Sequence, residues 1–205
     1  MLIINRAIFM SEEVKTMKPE IYNLFECNPV IAAVKDFSGL KACCENEENK
    51  VVFILFGDIC NINQIVRKVN EAGKAAFVHI DLITGLSSKE ISVDFIKNNT
   101  DATGVISTKP ALVKRAKELS LVGIFRVFVL DSMAIENLER QMSIARPDIL
   151  EILPGVMPKV VGRIAHISNI PLIASGLISD KEDVMMALEA GAMSISTTNQ
   201  KVWLM

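Results

Sequence analysis

Pro171-Leu172-Ile173-Ala174-Ser175-Gly176-Leu177-Ile178, then a helical stretch, then Ala192-Met193-Ser194-Ile195-Ser196-Thr197-Thr198 is the segment whose reading decides the fold. Two apolar runs each end in small residues that expose the backbone, Ser175-Gly176 in one and Ser196-Thr197-Thr198 in the other. Between them Ser179-Asp180-Lys181-Glu182 has the capping-box pattern that starts a helix. Gly191 suits the left-handed position just past that helix. Small residues let a ligand approach the main chain, and bare N–H groups at such corners bind phosphate. In an eight-stranded α/β barrel the phosphate site is frequently built from the loops after strands seven and eight. This pair is the last of its kind in the chain, so it points to both a fold and a ligand class.

Working outward, eight short apolar runs recur, at 31–34, 51–56, 75–80, 104–106, 124–130, 149–153, 172–174 and 192–195. Most are continuous rather than alternating, as expected of parallel strands covered on both faces. Helical patterns fall between them at 61–72, 110–119, 132–145, 158–167 and 180–190. Pro110 and Pro158 sit where a first helical turn tolerates proline, and Gly73 marks an end. Strand–helix alternation indicates parallel α/β architecture. Eight units predict a compact (β/α)8 TIM-barrel-like fold with some short or missing helices, 38–50 and 83–99 being the candidates. The competitor, an open doubly wound sheet, would carry a glycine-rich fingerprint after its first strand. That position reads Lys35-Asp36-Phe37-Ser38-Gly39. One domain over 1–205 is expected, with 1–20 an N-terminal lead-in that includes a helix near 11–18.

The chain has 205 residues, 50% of them hydrophobic, enough for one substantial core. A net charge of −2 gives no global pull toward nucleic acid or an anionic membrane. No run approaches the ~18 apolar residues of a membrane span, and the N-terminus lacks a signal-peptide layout. Cys27, Cys43, Cys44 and Cys60 form no Cys-x-x-Cys pair, and the histidines are His79 and His166. Zinc therefore has little support, no metal or cofactor is expected, and reduced cytoplasmic thiols are the simplest reading.

In a barrel, binding belongs at the carboxyl ends of the strands. Phosphate there would rest on the amides and hydroxyls of Ser175, Gly176, Ser196, Thr197 and Thr198, although these residues also suit plain tight turns. The polar end of a polyol would meet donors and acceptors among Asp36, Asp58, His79, Asp81, Lys109 and Glu151. His79 taken alone more often hydrogen-bonds a neighbour inside a barrel. Asp81 equally suits the Thr84-Gly85 turn. Asp131 reads as a helix cap or a binding group. Arg126, inside a strand run, either projects into the barrel mouth or pairs with a carboxylate such as Glu151. Between 104 and 126 five basic residues face one acid. Lys114, Arg115 and Lys117, widened by Arg140, Lys159 and Arg163, are candidates for contacting nucleic acid, against the ordinary reading of a solvated helix face. Aromatic residues are 5% of the chain, so single-strand binding by base stacking has little support.

The runs Phe77-Val78-His79-Ile80-Asp81-Leu82-Ile83-Thr84-Gly85-Leu86, Val105-Ile106-Ser107-Thr108-Lys109-Pro110 and Glu151-Ile152-Leu153-Pro154-Gly155-Val156-Met157-Pro158-Lys159 resemble the glycerol uptake operon antiterminator regulatory proteins. So do Val127–Ser132, the stretches 29–36, 53–63 and 176–184, and Ile195-Ser196-Thr197-Thr198-Asn199-Gln200-Lys201-Val202-Trp203. Where the family pattern has Gly-Gly before Leu177, this chain has Ser175-Gly176. The resemblance spans about residues 20–205. It implies a cytoplasmic regulator, not an enzyme, that senses glycerol 3-phosphate and binds the leader mRNA of a glycerol-utilisation operon. The alternative is a barrel enzyme acting on a triose- or glycerol-phosphate, with Lys109 as a Schiff-base or proton-transfer group and Asp58 or Asp81 as acid/base. Whether the protein forms a homodimer is left open by the sequence.

Overall fold

The computed structural model describes residues 17–205. The helix expected near 11–18 lies almost wholly outside them. Eight parallel strands close into a barrel in chain order: β1 (Val30–Val34), β2 (Val51–Ile54), β3 (Ala75–His79), β4 (Gly104–Ser107), β5 (Val122–Phe128), β6 (Ile149–Leu153), β7 (Leu172–Ser175) and β8 (Ser194–Thr197). Closure is made by β1 against β8, with Ile31 opposite Ser196. The runs read from sequence all become strands, with ends shifted by one or two residues, because parallel strands buried on both faces are legible as uninterrupted apolar words.

The helices are α1 (Pro19–Glu26), α2 (Phe37–Glu45), α3 (Ile62–Glu71), α4 (Ile91–Asn99), α5 (Pro110–Glu118), α6 (Ser132–Ala145), α7 (Pro158–Ile167) and α8 (Lys181–Glu189). Two expectations need correcting. The segments 38–50 and 83–99 are not abbreviated: α2 and α4 each run nine residues. The reduced unit instead follows β8, where a 3₁₀ turn, Val202–Leu204, stands in for a helix. The start of α8 also moves by one residue. Asp180, not Ser179, is the N-cap, accepting from the Asp183 amide, while Asp183 accepts from the Ser179 amide and hydroxyl. A carboxylate makes a stronger charge-assisted cap than a hydroxyl, and the box slides to use it. Gly191 holds φ +110° just past the helix, as its position predicts.

Alternation along each strand sends every second side chain into the barrel. The lower interior is apolar: Ile31, Ala33, Val51, Phe53, Phe77, Ile106, Ile124, Ile149 and Ile173 pack together. Helix α1 closes the amino-terminal end. Phe25 from α1 meets Phe77 edge-on at 5.2 Å, and the Ser194 hydroxyl donates to the Phe25 carbonyl. Two residues further along β3, β5, β6 and β7 the inward positions turn polar: His79 above Phe77, Arg126 above Ile124, Glu151 above Ile149, and Ser175 above Ile173. Outside the sheet, one apolar cluster centres on α2 to α4 and another on α5 to α8. The seam is tied by Trp203, whose indole N–H donates to the Thr197 carbonyl and whose own carbonyl accepts from Asn46 and Asn49.

Candidate ligand-binding site

The polar layer lies at the carboxyl end of the barrel, where the fold places its sites. At its centre Arg126 donates from Nε to Glu151 Oε2 at 2.7 Å and from Nη2 to Oε1 at 2.9 Å. Parallel pairing of β5 and β6 sets these two residues side by side. The sequence offered projection into the mouth or pairing with Glu151 as alternatives, and the structure combines them. Ser175 Oγ adds a 2.6 Å bond to Glu151 Oε1. Glu151 is fully buried, and its acceptor sites are largely filled by protein donors.

His79 shares this layer at 3% exposure, and its Nδ1 is buried without a hydrogen-bond partner. Burial drives its pKa down from 6.5 to about 4, helped by the nearby Arg126 charge, while Glu151, Asp81 and its own backbone pull weakly the other way. The imidazole is therefore neutral at pH 7.

Asp81 sits over β4 in a nest of donors. Its Oδ2 accepts from the Thr108 amide at 2.7 Å and the Thr108 hydroxyl at 2.9 Å, and Ser107 Oγ reaches both oxygens. Burial pushes this carboxyl up, but the Thr108 and Ser107 donors outweigh it and hold it below the usual carboxylate range. Lys109 Nζ lies 3.5 Å from Asp81 Oδ1 and also reaches Ser88 Oγ. Asp58 is taken up locally: it accepts from the amides of Cys60 and Asn61 and from Asn61 Nδ2, an Asx turn opening α3. Asp36 caps α2 through the Gly39 amide, and Asp131 caps α6 through Ala134. Of the six polyol-end residues, His79, Asp81, Lys109 and Glu151 share the mouth, while Asp36 and Asp58 serve helix starts at its rim.

The last two corners lie together as the sequence suggested. Gly176 has φ +78°, and Gly155 of the β6 corner presses so close that a Cβ there would stand 2.8 Å from the Ser175 nitrogen. Gly155 N donates to the Gly176 carbonyl. Thr197 Oγ1 donates to the Ile178 carbonyl and Asn199 Nδ2 to the Ser179 carbonyl, stitching the β8 corner onto the β7 corner. The hydroxyls of Ser175 and Thr197 are thus committed within the protein. Ser196 is buried and Thr198 is exposed. The first turn of α8 carries its own carboxylates, Asp180, Glu182 and Asp183, which disfavour an anion there.

The basic residues do not make one continuous stripe. Arg115 is paired with Asp94 at 2.6 Å and Glu118 at 3.0 Å, and Lys117 with Asp148 at 3.0 Å. Arg140 bonds Asn137. Lys114, Arg140, Lys159 and Arg163 are exposed, Arg163 lining a cleft with Glu136 and Glu139.

Residues 30–203 match the family described as "Glycerol-3-phosphate responsive antiterminator". The chain belongs to that family. A crystal structure of the glycerol uptake operon antiterminator regulatory protein from Listeria monocytogenes superposes with a TM-score of 0.82 at 27% identity, covering 85% of this chain and 94% of that one. A glycerol uptake operon antiterminator-related protein from Thermotoga maritima gives 0.77 at 31% identity, covering 87% and 99%. The Escherichia coli (strain K12) protein named "Uncharacterized protein YgcP" is 44% identical over 183 residues, 89% of this chain and 95% of its own. An aldolase barrel from Aeropyrum pernix at 16% identity shares the fold alone. Among the described residues no helix is long and apolar enough to cross a membrane.

Proposed function

We propose that this protein is a cytoplasmic, ligand-responsive antiterminator that binds glycerol 3-phosphate at the barrel mouth and then the leader mRNA of a glycerol-utilisation operon. The observation that carries the reading is the family match across nearly the whole barrel. The geometry agrees with it: the interlocked β7 and β8 corners offer main chain at Gly176 and Thr198 for phosphate, beside a buried polar layer suited to hydroxyls. The phosphate rests on the corners of Ser175, Gly176, Ser196, Thr197 and Thr198, mainly through backbone. The glycerol end points inward to His79, Asp81, Lys109 and the Arg126–Glu151 pair. Ligand shifts the protein toward an RNA-competent state only by its difference in affinity for the two states. Lys114, Arg140, Lys159 and Arg163 are exposed cations offered to RNA phosphates.

The test pairs calorimetry with an RNA mobility shift. Glycerol 3-phosphate binds, while glycerol and inorganic phosphate bind far more weakly, and leader RNA is retarded more strongly with the ligand present. Equal RNA binding with and without ligand defeats the switch. Turnover of triose phosphates by the purified protein would move the reading to the enzyme.

A further inference from the structure

The carboxylates of the mouth and of its rim at Asp58 have their acceptor sites engaged by protein donors. Asp81 receives the Thr108 amide and the hydroxyls of Ser107 and Thr108, Glu151 receives two Arg126 bonds and Ser175, and Asp58 receives three donors of its own turn. A ligand hydroxyl brought to one of them would compete with bonds already made. His79 differs. It is only 3% exposed, its Nδ1 is without a partner, and such orphans are rare in native proteins, where each implies an absent partner or a functional role. Arg126 beside it uses Nε and Nη2 on Glu151, which leaves Nη1 for another acceptor.

We propose that His79 and Arg126 form the subsite that reads the hydroxyl end of the ligand. In this assignment, which rests on the ligand class proposed above, Glu151 and Ser175 act as positioning residues. Their side chains hold the guanidinium in place and leave the hydroxyl contacts to Arg126 and His79, while Ser175 meets the phosphate through its backbone alone. Ser175 thereby gains a role, because its hydroxyl fills a Glu151 lone pair that would otherwise compete for a ligand hydroxyl. The neutral imidazole can accept from, or donate to, a hydroxyl at Nδ1. The Arg126 edge supplies a donor to the same or the adjacent oxygen. Selectivity for a hydroxylated over an alkyl phosphate then resides in two side chains on β3 and β5. The phosphate itself is held on the opposite sector, by β7 and β8.

The experiment compares glycerol 3-phosphate with n-propyl phosphate, which keeps the phosphate and lacks both hydroxyls, on four full-length proteins by calorimetry. These are the unaltered chain, His79→Asn, His79→Gln and His79→Leu. Asparagine sets an amide near the Nδ1 position, glutamine near Nε2, and leucine removes polarity. The unaltered protein binds glycerol 3-phosphate more tightly than n-propyl phosphate. His79→Leu weakens glycerol 3-phosphate about tenfold, the loss expected for one buried hydrogen bond, and leaves n-propyl phosphate unchanged. His79→Asn retains discrimination that His79→Gln loses, a comparison that stands even if the leucine variant does not fold. Equal loss for both ligands, or full discrimination in His79→Gln and His79→Leu, overturns the assignment while the ligand-class reading stands. Failure of the unaltered protein to bind glycerol 3-phosphate overturns the ligand class and this subsite together.

Discussion

Lowering the pH should destabilise this barrel through His79, and the size of the effect follows from its surroundings. Burial and the Arg126 charge hold the folded-state pKa near 4, against 6.5 for the ordinary side chain. In the folded protein the ring resists protonation, while in the unfolded chain it protonates freely below 6.5. The unfolded state therefore binds more protons between these two values, so stability falls as pH falls. The contribution is complete above pH 6.5 and is lost progressively down through about 4. The gap corresponds to about 3 kcal/mol in full, of which about 2 kcal/mol is gone by pH 5. Asp81, beside the ring and held below the usual carboxylate range by its Thr108 and Ser107 donors, adds its own acid loss only at lower pH. The assay is urea denaturation between pH 7 and 5 on the unaltered protein and His79→Asn, which keeps a polar group and removes the titration. The difference between the two profiles should grow by about 2 kcal/mol toward pH 5. Parallel profiles would refute the inference that the imidazole is buried and neutral.

Three further outcomes are expected. Glu151→Ala leaves the buried Arg126 guanidinium without its partner and costs about 3–5 kcal/mol in denaturation. Replacing both residues together by Arg126→Met and Glu151→Leu restores stability but abolishes discrimination between glycerol 3-phosphate and n-propyl phosphate. Gly176→Val places a branched side chain at φ +78° against Leu153, so calorimetry should register loss of phosphate-ligand binding together with about 1–2 kcal/mol of destabilisation. Lys159→Ala and Arg163→Ala should each lower the salt dependence of RNA binding by roughly one phosphate contact, whereas Arg115→Ala, already paired to Asp94 and Glu118, should act mainly on stability.

The barrel was legible because its strands are buried on both faces and its turns use few residue types. Pro110, Pro158, Asp131 and Gly191 each stand where a helix boundary requires them, and α6 and α7 begin and end where the sequence places them. The misplaced abbreviations have a local cause. Around 38–50 a glycine and a cysteine pair dilute the helical pattern, yet Gly39, Leu40 and Cys43 of α2 are buried on the barrel. The polar strand ends were legible by residue, and one partner, Glu151 for Arg126, was offered as an alternative. His79, Asp81, Lys109, Glu151 and Ser175 all stand at strand ends in the sequence, but which donor fills which carboxylate depends on register between strands about 25 residues apart, which no local pattern encodes. One signal was available: Arg126 and Glu151 each sit two residues after an inward-facing isoleucine, at the same phase of neighbouring strands, with opposite charge.

That coincidence of phase and charge bears on why the layer exists. A buried ion pair is weak support for stability, since well-packed apolar residues of similar volume often do as well or better. The layer directly beneath, from Ile124 to Ile149 to Ile173, shows that this barrel packs apolar side chains without difficulty. Stability alone would continue that packing upward, and a purely structural ion pair would not explain a neighbouring imidazole with a buried, unpartnered nitrogen. Glu151 and Asp81 are engaged largely from within the protein, and one adjacent ring nitrogen is left without a bond. The imbalance sits beside the interlocked β7 and β8 corners. On the proposed reading, a ligand carrying a phosphate at one end and hydroxyls at the other would supply what both places lack. On the proposed assignment, the central polar layer, rather than the surface charge on α5, is the part of the molecule that would read ligand identity.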